Sequence, residues 1–550
     1  MNRLLWFLRD YPLAAVLLRA ITLAFDALLI GGIFFCAALL PRSFANSGEF
    51  ASRAHRLLRI SAIGLAFTQI CFVALDSAML MSTSGLHLSD LYTTNYFMAG
   101  ALLVLTCATF LLFCRDCVAR ARGWLLLILP LLFGIVWTSH SASRLENRLP
   151  LTTLTGLHQL AAALWIGAMP YLWLLLSSQN TTRTTDEDAE RATVLAVRRY
   201  STTAVASVTV LIAAGVSMGW VYTRSWSAVY GTAYGVVLLA KSAMLVGLLL
   251  MGAGNFLLVR GGRLHFSSYL LRIARFSEVE IGIGFTIILV AASLSSQPPA
   301  VDLVQNRLTL PEIAARMTPQ WPRFHTPPIA AMPAVQPMRQ AIQQYAMVPD
   351  DAGAANNRIE QAWSEYNHHW AGLVVLLAGL LAMLGRSDRF RWARHWPLVF
   401  LALAVFLFLR ADPEAWPLGP RGFWDSFYNP EDLEHRLYIL LIVSFVAFEW
   451  SVQTQRLISQ KAALVFPAVC ALGGALLLTH NHTLGNVKEE LLTEMSHTAI
   501  AICAVFAGWS RWLEVRTPKN ASGSARRIAA SAWPVCLMLI GLILLNYREG

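Results

Sequence analysis

A polar stretch near the end of the chain combines residue types that bind transition metals. The stretch THNHTLGNVKEELLTEMSH joins two long apolar segments. His480 and His482 end the first segment, and Glu490, Glu494 and His497 begin the second. At 3.6 residues per turn, the two glutamates and His497 share one helix face. Imidazole and carboxylate groups gathered in this way bind divalent or monovalent transition metals. The alternative interpretation is that polar residues stand here because helix ends contact water.

Apolar segments of membrane-spanning length would position this stretch. The chain has 550 residues, of which 56% are hydrophobic and 14% are charged. Apolar runs of about 20 residues indicate membrane-spanning helices, because a helix pairs its own backbone N–H and C=O groups within lipid. The sequence predicts an all-α, polytopic transmembrane helix bundle of about fourteen spans. The spans cover roughly 12–41, 57–81, 92–114, 123–140, 153–177, 200–222, 234–258, 278–297, 367–385, 395–410, 435–453, 462–480, 491–513 and 530–546.

Basic residues set the expected orientation of these spans. The net charge is +11, but most Lys and Arg lie in the connections after the odd-numbered spans. The positive-inside rule makes those connections cytoplasmic and both termini periplasmic. Examples are Arg53, Arg56, Arg59, Arg115, Arg120, Arg122, Arg198, Arg199, Arg386, Arg389, Arg391, Arg394, Arg526 and Arg527. This charge distribution indicates a lipid bilayer rather than nucleic acid as the partner. The sequence has no G-x-x-x-x-G-K-[ST] motif, so we expect no nucleotide partner. We expect no enzymatic activity.

Further candidate ligands lie near the outer ends of the first four spans. Asp76 lies in the outer half of the second span, and charges at membrane depth are costly unless they face the protein interior. Met79 and Met81 follow it, and His87 stands in the next outer loop. His140 ends the fourth span on the same side. Methionine favours Cu(I) and imidazole accepts either oxidation state, although methionines also fill apolar space without any metal.

The segment from about residue 150 to residue 297 resembles a known family. It contains LTGLHQLAAALWIGAMPYLWLLL with His158, a helix of small residues ending in Gly219-Trp220, and a Gly-Thr-x-Tyr-Gly motif before Lys241. A span ending in proline follows. These features together resemble the CopD/PcoD family of bacterial inner-membrane copper proteins.

The resemblance implies a multi-pass protein of the bacterial inner membrane that handles copper ions. It implies copper import from the periplasm toward the cytoplasm, alongside a soluble periplasmic copper-carrier protein. His158 is predicted one to two turns inside the outer membrane boundary. A buried imidazole needs a partner, which is a metal, a haem iron or another side chain. Lys241 is expected to have a structural role near the outer surface.

Four segments organise the chain. Residues 1–150 form an N-terminal four-span block, and residues 151–297 form the CopD-like four-span core. Residues 298–366 form a periplasmic linker rich in proline, and residues 367–550 form a C-terminal six-span block. The linker also carries methionines that either collect Cu(I) or are ordinary linker residues. They are Met317, Met332, Met338 and Met347.

The histidines show the opposite bias to the basic residues. Of the 13 histidines, only His55, His265 and His395 are predicted on the inner side. In the C-terminal block, His368, His369 and His435 stand where spans begin at the outer side. The candidate metal ligands are therefore His87, His140, His158, His368, His369, His435, His480, His482, His497 and Asp76.

Three functions fit these features. The first is uptake or translocation of copper from the periplasm toward the cytoplasm, in copper homeostasis or resistance. The second is electron transfer by copper or by a b-type haem, which His158 and His140 could hold on facing spans. The third is a membrane assembly factor that delivers copper to a copper enzyme.

Overall fold

The computed structural model describes most of the chain as helices. The described residues are 11–44, 48–84, 87–114, 116–144, 146–181, 187–261, 266–305, 307–327, 350–413, 415–428, 430–479, 488–518 and 524–548. Within these ranges there is no strand, only an isolated bridge between Ala415 and Arg421. The all-α prediction is confirmed.

The chain divides into two compact units, Met1–Val304 and Gln305–Gly550. The division falls inside the predicted linker 298–366. The first unit therefore contains both the N-terminal block and the CopD-like core.

The first unit has nine helices of eight or more residues among its described residues. They are α1 (Tyr11–Phe34), α2 (Gly48–Ser84), α3 (Asn95–Phe113), α4 (Ile128–Trp137), α5 (Arg148–Ala162), α6 (Met169–Thr181), α7 (Glu187–Thr223), α8 (Ala233–Gly261) and α9 (Phe266–Ser296). Single π-helical turns follow α1 at Phe35–Leu39 and α5 at Ala163–Gly167. Short helical turns lie at Arg42–Phe44, Leu88–Leu91, Ala121–Trp124, Leu125–Leu127, His140–Ser143 and Trp226–Tyr230.

The second unit has seven helices of that length within the part of the chain that is described. They are α10 (Leu310–Met317), α11 (Asp350–Leu384), α12 (Val399–Arg410), α13 (Pro430–Gln453), α14 (Val465–Leu477), α15 (Lys488–Arg516) and α16 (Ser524–Leu545). A 3-10 segment with a kink at Phe390 lies at Asp388–Leu398, and short 3-10 turns lie at Asp425–Tyr428 and Ala462–Leu464. Two of these helices, α10 and the first part of α11, lie inside the predicted linker.

Twelve helical segments of the described chain are long and apolar enough to cross a membrane. The chain is therefore a multi-pass membrane protein. The predicted spans 123–140 and 462–480 correspond to shorter apolar segments, Ala121–Trp137 and Ala462–Leu477. Seventeen helical residues extend about 25 Å, whereas the hydrocarbon core is about 30 Å thick. The number of crossings and the side of each terminus remain predictions.

Helix α1 packs closely against the π-helical turn that follows α5. A Cβ atom added to Gly167 would overlap the backbone of Ala27, and one added to Gly31 would overlap the backbone of Gly167. Both positions therefore require glycine for this close approach. The contact holds the middle of α1 beside Trp165 and Ile166.

Candidate functional site

The first unit contains a cavity of about 220 Å³. Five helices line this cavity: α1, α5, α7, α8 and α9. The lining residues of each helix are spaced at about one or two helical turns, so each helix lines the cavity with one face. On α7, for example, the cavity is lined by Leu211, Met218 and Tyr222. The polar and charged lining residues are Arg19, Asp26, Ser139, Ser141, Thr155, His158, Gln159, Tyr222, Tyr234, Lys241, Ser295 and Gln297.

The cavity extends inward from one end of the helices. Tyr222 lies at the end of α7, Tyr234 at the start of α8, and Pro299 just after α9. From there the cavity reaches Asp26 and Leu245, which lie several turns from those helix ends. The distribution of basic residues predicts that this end of the unit faces the periplasm.

His158 presents one nitrogen to the cavity. Its Nδ1 lies 3.0 Å from the carbonyl oxygen of Leu211 on α7, so Nδ1–H is the donor and Nε2 keeps its lone pair. The ring fits against α7 because residue 215 is glycine. A Cβ atom there would lie 3.2 Å from Cε1 and 3.4 Å from Nδ1 of His158. A histidine fixed by a backbone carbonyl in this way is arranged as metal-binding histidines are.

Met218 supplies a thioether in the same wall of the cavity. It follows Gly215 by three residues, so both lie on one face of α7. Its Sδ atom is 3.4 Å from Oγ1 of Thr155, which precedes His158 by three residues on α5. An imidazole and a thioether together favour Cu(I). Met218 was absent from the sequence-based candidates, although it belongs to the helix of small residues that carries the family resemblance.

Three charged side chains share this cavity. The Arg19 guanidinium donates from Nη1 to Oγ1 of Thr138 at 2.6 Å. Asp26 is 4% exposed, and its Oδ1 has no hydrogen-bond partner among the described residues. Lys241 lines the cavity, and no carboxylate of the described chain lies within ion-pair distance of it. The sequence did not predict that Lys241 faces a cavity.

In the second unit, two of the predicted histidines lie together. The rings of His368 on α11 and His497 on α15 have centres 6.0 Å apart. Tyr547 stacks on His368 with a centre-to-centre distance of 3.9 Å. Nδ1 of His368 lies 2.8 Å from the carbonyl oxygen of Ser364. Two imidazoles sharing a metal at about 2 Å from each nitrogen hold their centres about 6 Å apart.

The neighbouring His369 is placed differently. Its Nδ1 accepts a hydrogen bond from the backbone N–H of Arg323 at 2.7 Å. Its Nε2 lies 2.9 Å from the carbonyl oxygen of Tyr547, to which it donates. Both nitrogens are used, so in this arrangement His369 joins backbone segments and has no nitrogen for a metal. Nδ1 of His435 pairs with Oδ1 of Asp412 at 2.6 Å.

Of the remaining candidates, the described His87 and Asp76 lie apart from the cavity and from the His368–His497 pair. His87 is exposed before a single helical turn, where its backbone N–H donates to Asp90 at 3.1 Å. Asp76 is half-buried on α2 and does not line the cavity. His140 begins a short helix, and its side chain is outside the described part, as are His480 and His482 entirely. No group of three or more His, Cys, Asp or Glu residues within the described ranges is arranged to hold a metal ion.

Fold and site together define a multi-pass helical membrane protein whose cavity presents an imidazole nitrogen and a thioether. Residues 194–294 match the family model of copper resistance protein D. The resemblance predicted from the sequence motifs is therefore confirmed. The matched segment contains Gly215, Met218 and Lys241, whereas His158 precedes it.

A curated relative is also similar to part of the chain. The copper transport protein CutJ of Bacillus subtilis (strain 168) is 33% identical over 174 residues. The match covers 32% of this chain and 30% of that protein. The chain thus spans about a third of the length of the curated relative it matches. No solved structure matches the chain significantly. These similarities support a membrane protein connected with copper.

Proposed function

We propose that this protein moves copper through the bacterial inner membrane, from the periplasm toward the cytoplasm. The observation that carries the proposal is that the His158 and Met218 side chains both line the first-unit cavity, where Met218 contacts Thr155, one helical turn before His158. Copper is the cargo, and a periplasmic copper carrier is its expected source. The similarity to copper resistance protein D supports a role in copper homeostasis or resistance.

Each residue has a distinct role in this proposal. Nε2 of His158 and Sδ of Met218 bind Cu(I), which prefers soft and imidazole ligands. Thr155 and Gly215 hold these two side chains in place through their contacts with Sδ and the imidazole ring. The chain has no nucleotide motif, so an ion gradient or the copper gradient itself drives the movement.

The second unit offers a further copper site. His368 and His497 have the ring separation that a shared metal ion requires. His497 belongs to the polar stretch that the sequence analysis predicted to bind a metal, and this stretch also contains His480 and His482. We infer that this pair binds copper independently of the first-unit cavity.

Copper binding to the detergent-purified full chain tests the first site. Competition with a Cu(I) chelator gives the affinities of the wild type, His158→Ala and Met218→Leu. Losing one ligand should weaken the affinity by about tenfold or more. Met244→Leu is the matched control, because Met244 is fully buried and does not line the cavity. Unchanged affinity in both ligand variants would contradict the assignment.

Two further readouts separate the competing functions. Copper accumulation in vesicles reconstituted with the protein is expected for a transporter. Copper binding without accumulation would instead favour an assembly factor. A Soret absorption band in the purified protein would favour the haem hypothesis.

A further inference from the structure

We propose that copper reaches the first-unit cavity as an anionic Cu(I) complex, with small anions such as chloride still attached, and that Arg19 and Lys241 recognise the anionic part. This inference rests on the proposed function and names the form of its substrate. It starts from the charges around the cavity rather than from the copper ligands.

The charged side chains that line the cavity do not favour a bare cation at His158. Two cationic side chains, Arg19 and Lys241, and one carboxylate, Asp26, line the cavity. A bare Cu(I) ion on Nε2 of His158 would share this cavity with both cations. Like charges repel strongly where the dielectric constant is low. Anions that accompany the copper ion remove this repulsion.

Both cations have donors to offer. Arg19 is 6% exposed and uses Nη1 for the hydroxyl of Thr138, whereas a guanidinium has five N–H donors. Neither Arg19 nor Lys241 forms an ion pair with a carboxylate of the described chain. Tyr222 also brings a hydroxyl group to the cavity. Cationic and hydroxyl donors of this kind suit halide ions or small oxyanions.

The charges are ordered along the cavity. Arg19 and Lys241 are each the ninth residue of a helix, α1 and α8, that begins at the predicted periplasmic end. Asp26 lies seven residues after Arg19 on the same face of α1, which is about 10 Å deeper. Its Oδ1 has no hydrogen-bond partner among the described residues. Among the described residues that line the cavity, the one carboxyl group therefore lies deeper than the two basic groups.

This order separates copper from its anions. The copper–halide bonds break as bonds to Nε2 of His158 and Sδ of Met218 form. Each halide leaves with the electron pair of its bond toward Arg19 and Lys241, and copper remains Cu(I). No electron is transferred, so no oxidant or reductant is needed.

The first test measures copper uptake into proteoliposomes that contain the full chain. Cu(I) is supplied with ascorbate and acetonitrile in either chloride or gluconate medium. Wild-type uptake should be about tenfold faster in chloride, as expected for one additional charge-assisted contact. Lys241→Met should abolish this difference, Lys241→Arg should retain it, and the exposed-site control Lys461→Met should behave as wild type. Equal wild-type rates in both media, or an unchanged chloride response in Lys241→Met, would overturn the inference.

A second measurement does not depend on copper transport. Chloride binding to the copper-free protein in detergent broadens the chloride NMR line. Excess broadening in the wild type that Lys241→Met removes and Lys461→Met retains would support the anion site. Equal line widths in the wild type and Lys241→Met would refute it. If uptake is absent in both media while chloride binding persists, the transport function fails and the anion site stands.

Discussion

At the residue scale, hydrogen bonding distinguishes ligand histidines from structural ones. His158 and His368 each use Nδ1 for a backbone carbonyl, of Leu211 and of Ser364 respectively. His369 uses both nitrogens, for Arg323 and Tyr547. Adjacent histidines in the sequence therefore have different roles. The sequence shows the residue type, but the hydrogen bonds depend on backbone groups that are distant along the chain.

Replacing the two adjacent histidines separately should give opposite results. His368→Ala should remove about one equivalent of copper per chain, because it deletes a ligand of the second-unit site. His369→Ala should retain that copper but lower the thermal stability, since it leaves the carbonyl of the buried Tyr547 and the N–H of Arg323 without this partner, at a cost of about 1–3 kcal/mol. Metal analysis and thermal unfolding of both purified variants measure these effects. Loss of copper in His369→Ala with unchanged stability would contradict this assignment.

A substitution at Gly215 should weaken copper binding without touching a ligand atom. Gly215→Val places atoms where the His158 ring packs, and a Cβ atom alone would lie 3.2 Å from Cε1. Overpacking of this kind costs about 1–3 kcal/mol, so the Cu(I) affinity should fall by about 5- to 150-fold. Gly252→Val is the control, because nothing lies within 4 Å of a Cβ atom there. The chelator competition assay reports the change, and equal affinities of the two variants would refute the role of Gly215.

At the element scale, helix rotation explains what the sequence missed. The sequence predicted spans around residues 200–222 and 234–258, and α7 and α8 are found there. It did not predict that Met218 and Lys241 face a common cavity with His158. Which face of a helix points inward depends on its neighbours, such as the close contact of α1 with Gly167. Apolar periodicity is weak in spans that contact lipid on one side and protein on the other.

A buried ion network joins helices of the second unit. Arg511 on α15 contacts Glu449 of α13 at 3.4 Å and Glu514 at 2.7 Å. Trp533 of α16 donates to Glu514 at 2.7 Å. The side chains of Arg511, Glu449 and Glu514 are each at most 14% exposed. The network therefore links three helices through buried charged groups.

Removing the cation of this network should destabilise the protein strongly. Arg511→Met leaves two carboxylates buried without their cation, which costs about 3–5 kcal/mol. Arg191→Met is the matched control, because its ion pair with Glu187 is exposed and contributes about 0–1 kcal/mol. Thermal unfolding in detergent should show a much lower midpoint for Arg511→Met alone. Similar midpoints in both variants would show that the network does not stabilise the fold.

At the scale of the whole molecule, composition and charge predicted the class of protein but not the pairing of distant residues. Long apolar runs lead directly to membrane helices, because lipid allows few alternatives. The pair of His368 and His497 joins residues 129 positions apart, and no local pattern indicates that their helices are neighbours. The positions of the histidines in the sequence predicted only that most of them lie toward the outer side of the membrane.

The fourteen spans predicted from the sequence and the twelve long apolar helices of the structure differ at two short segments, where the membrane topology can be tested. If Ala121–Trp137 and Ala462–Leu477 both cross, the chain has fourteen spans. If neither crosses, the chain has twelve spans. Both termini then remain periplasmic, as in the fourteen-span topology, but every connection between the two short segments lies on the opposite side of the membrane. A protease-sensitive tag inserted within residues 328–349 should be cleaved in spheroplasts, and a tag within residues 262–265 should be protected. We expect this result because the connections rich in Arg then remain cytoplasmic. With a periplasmic N-terminus, the reverse pattern would show that Ala121–Trp137 does not cross, and a tag after Ala462–Leu477 would then report on the second short segment.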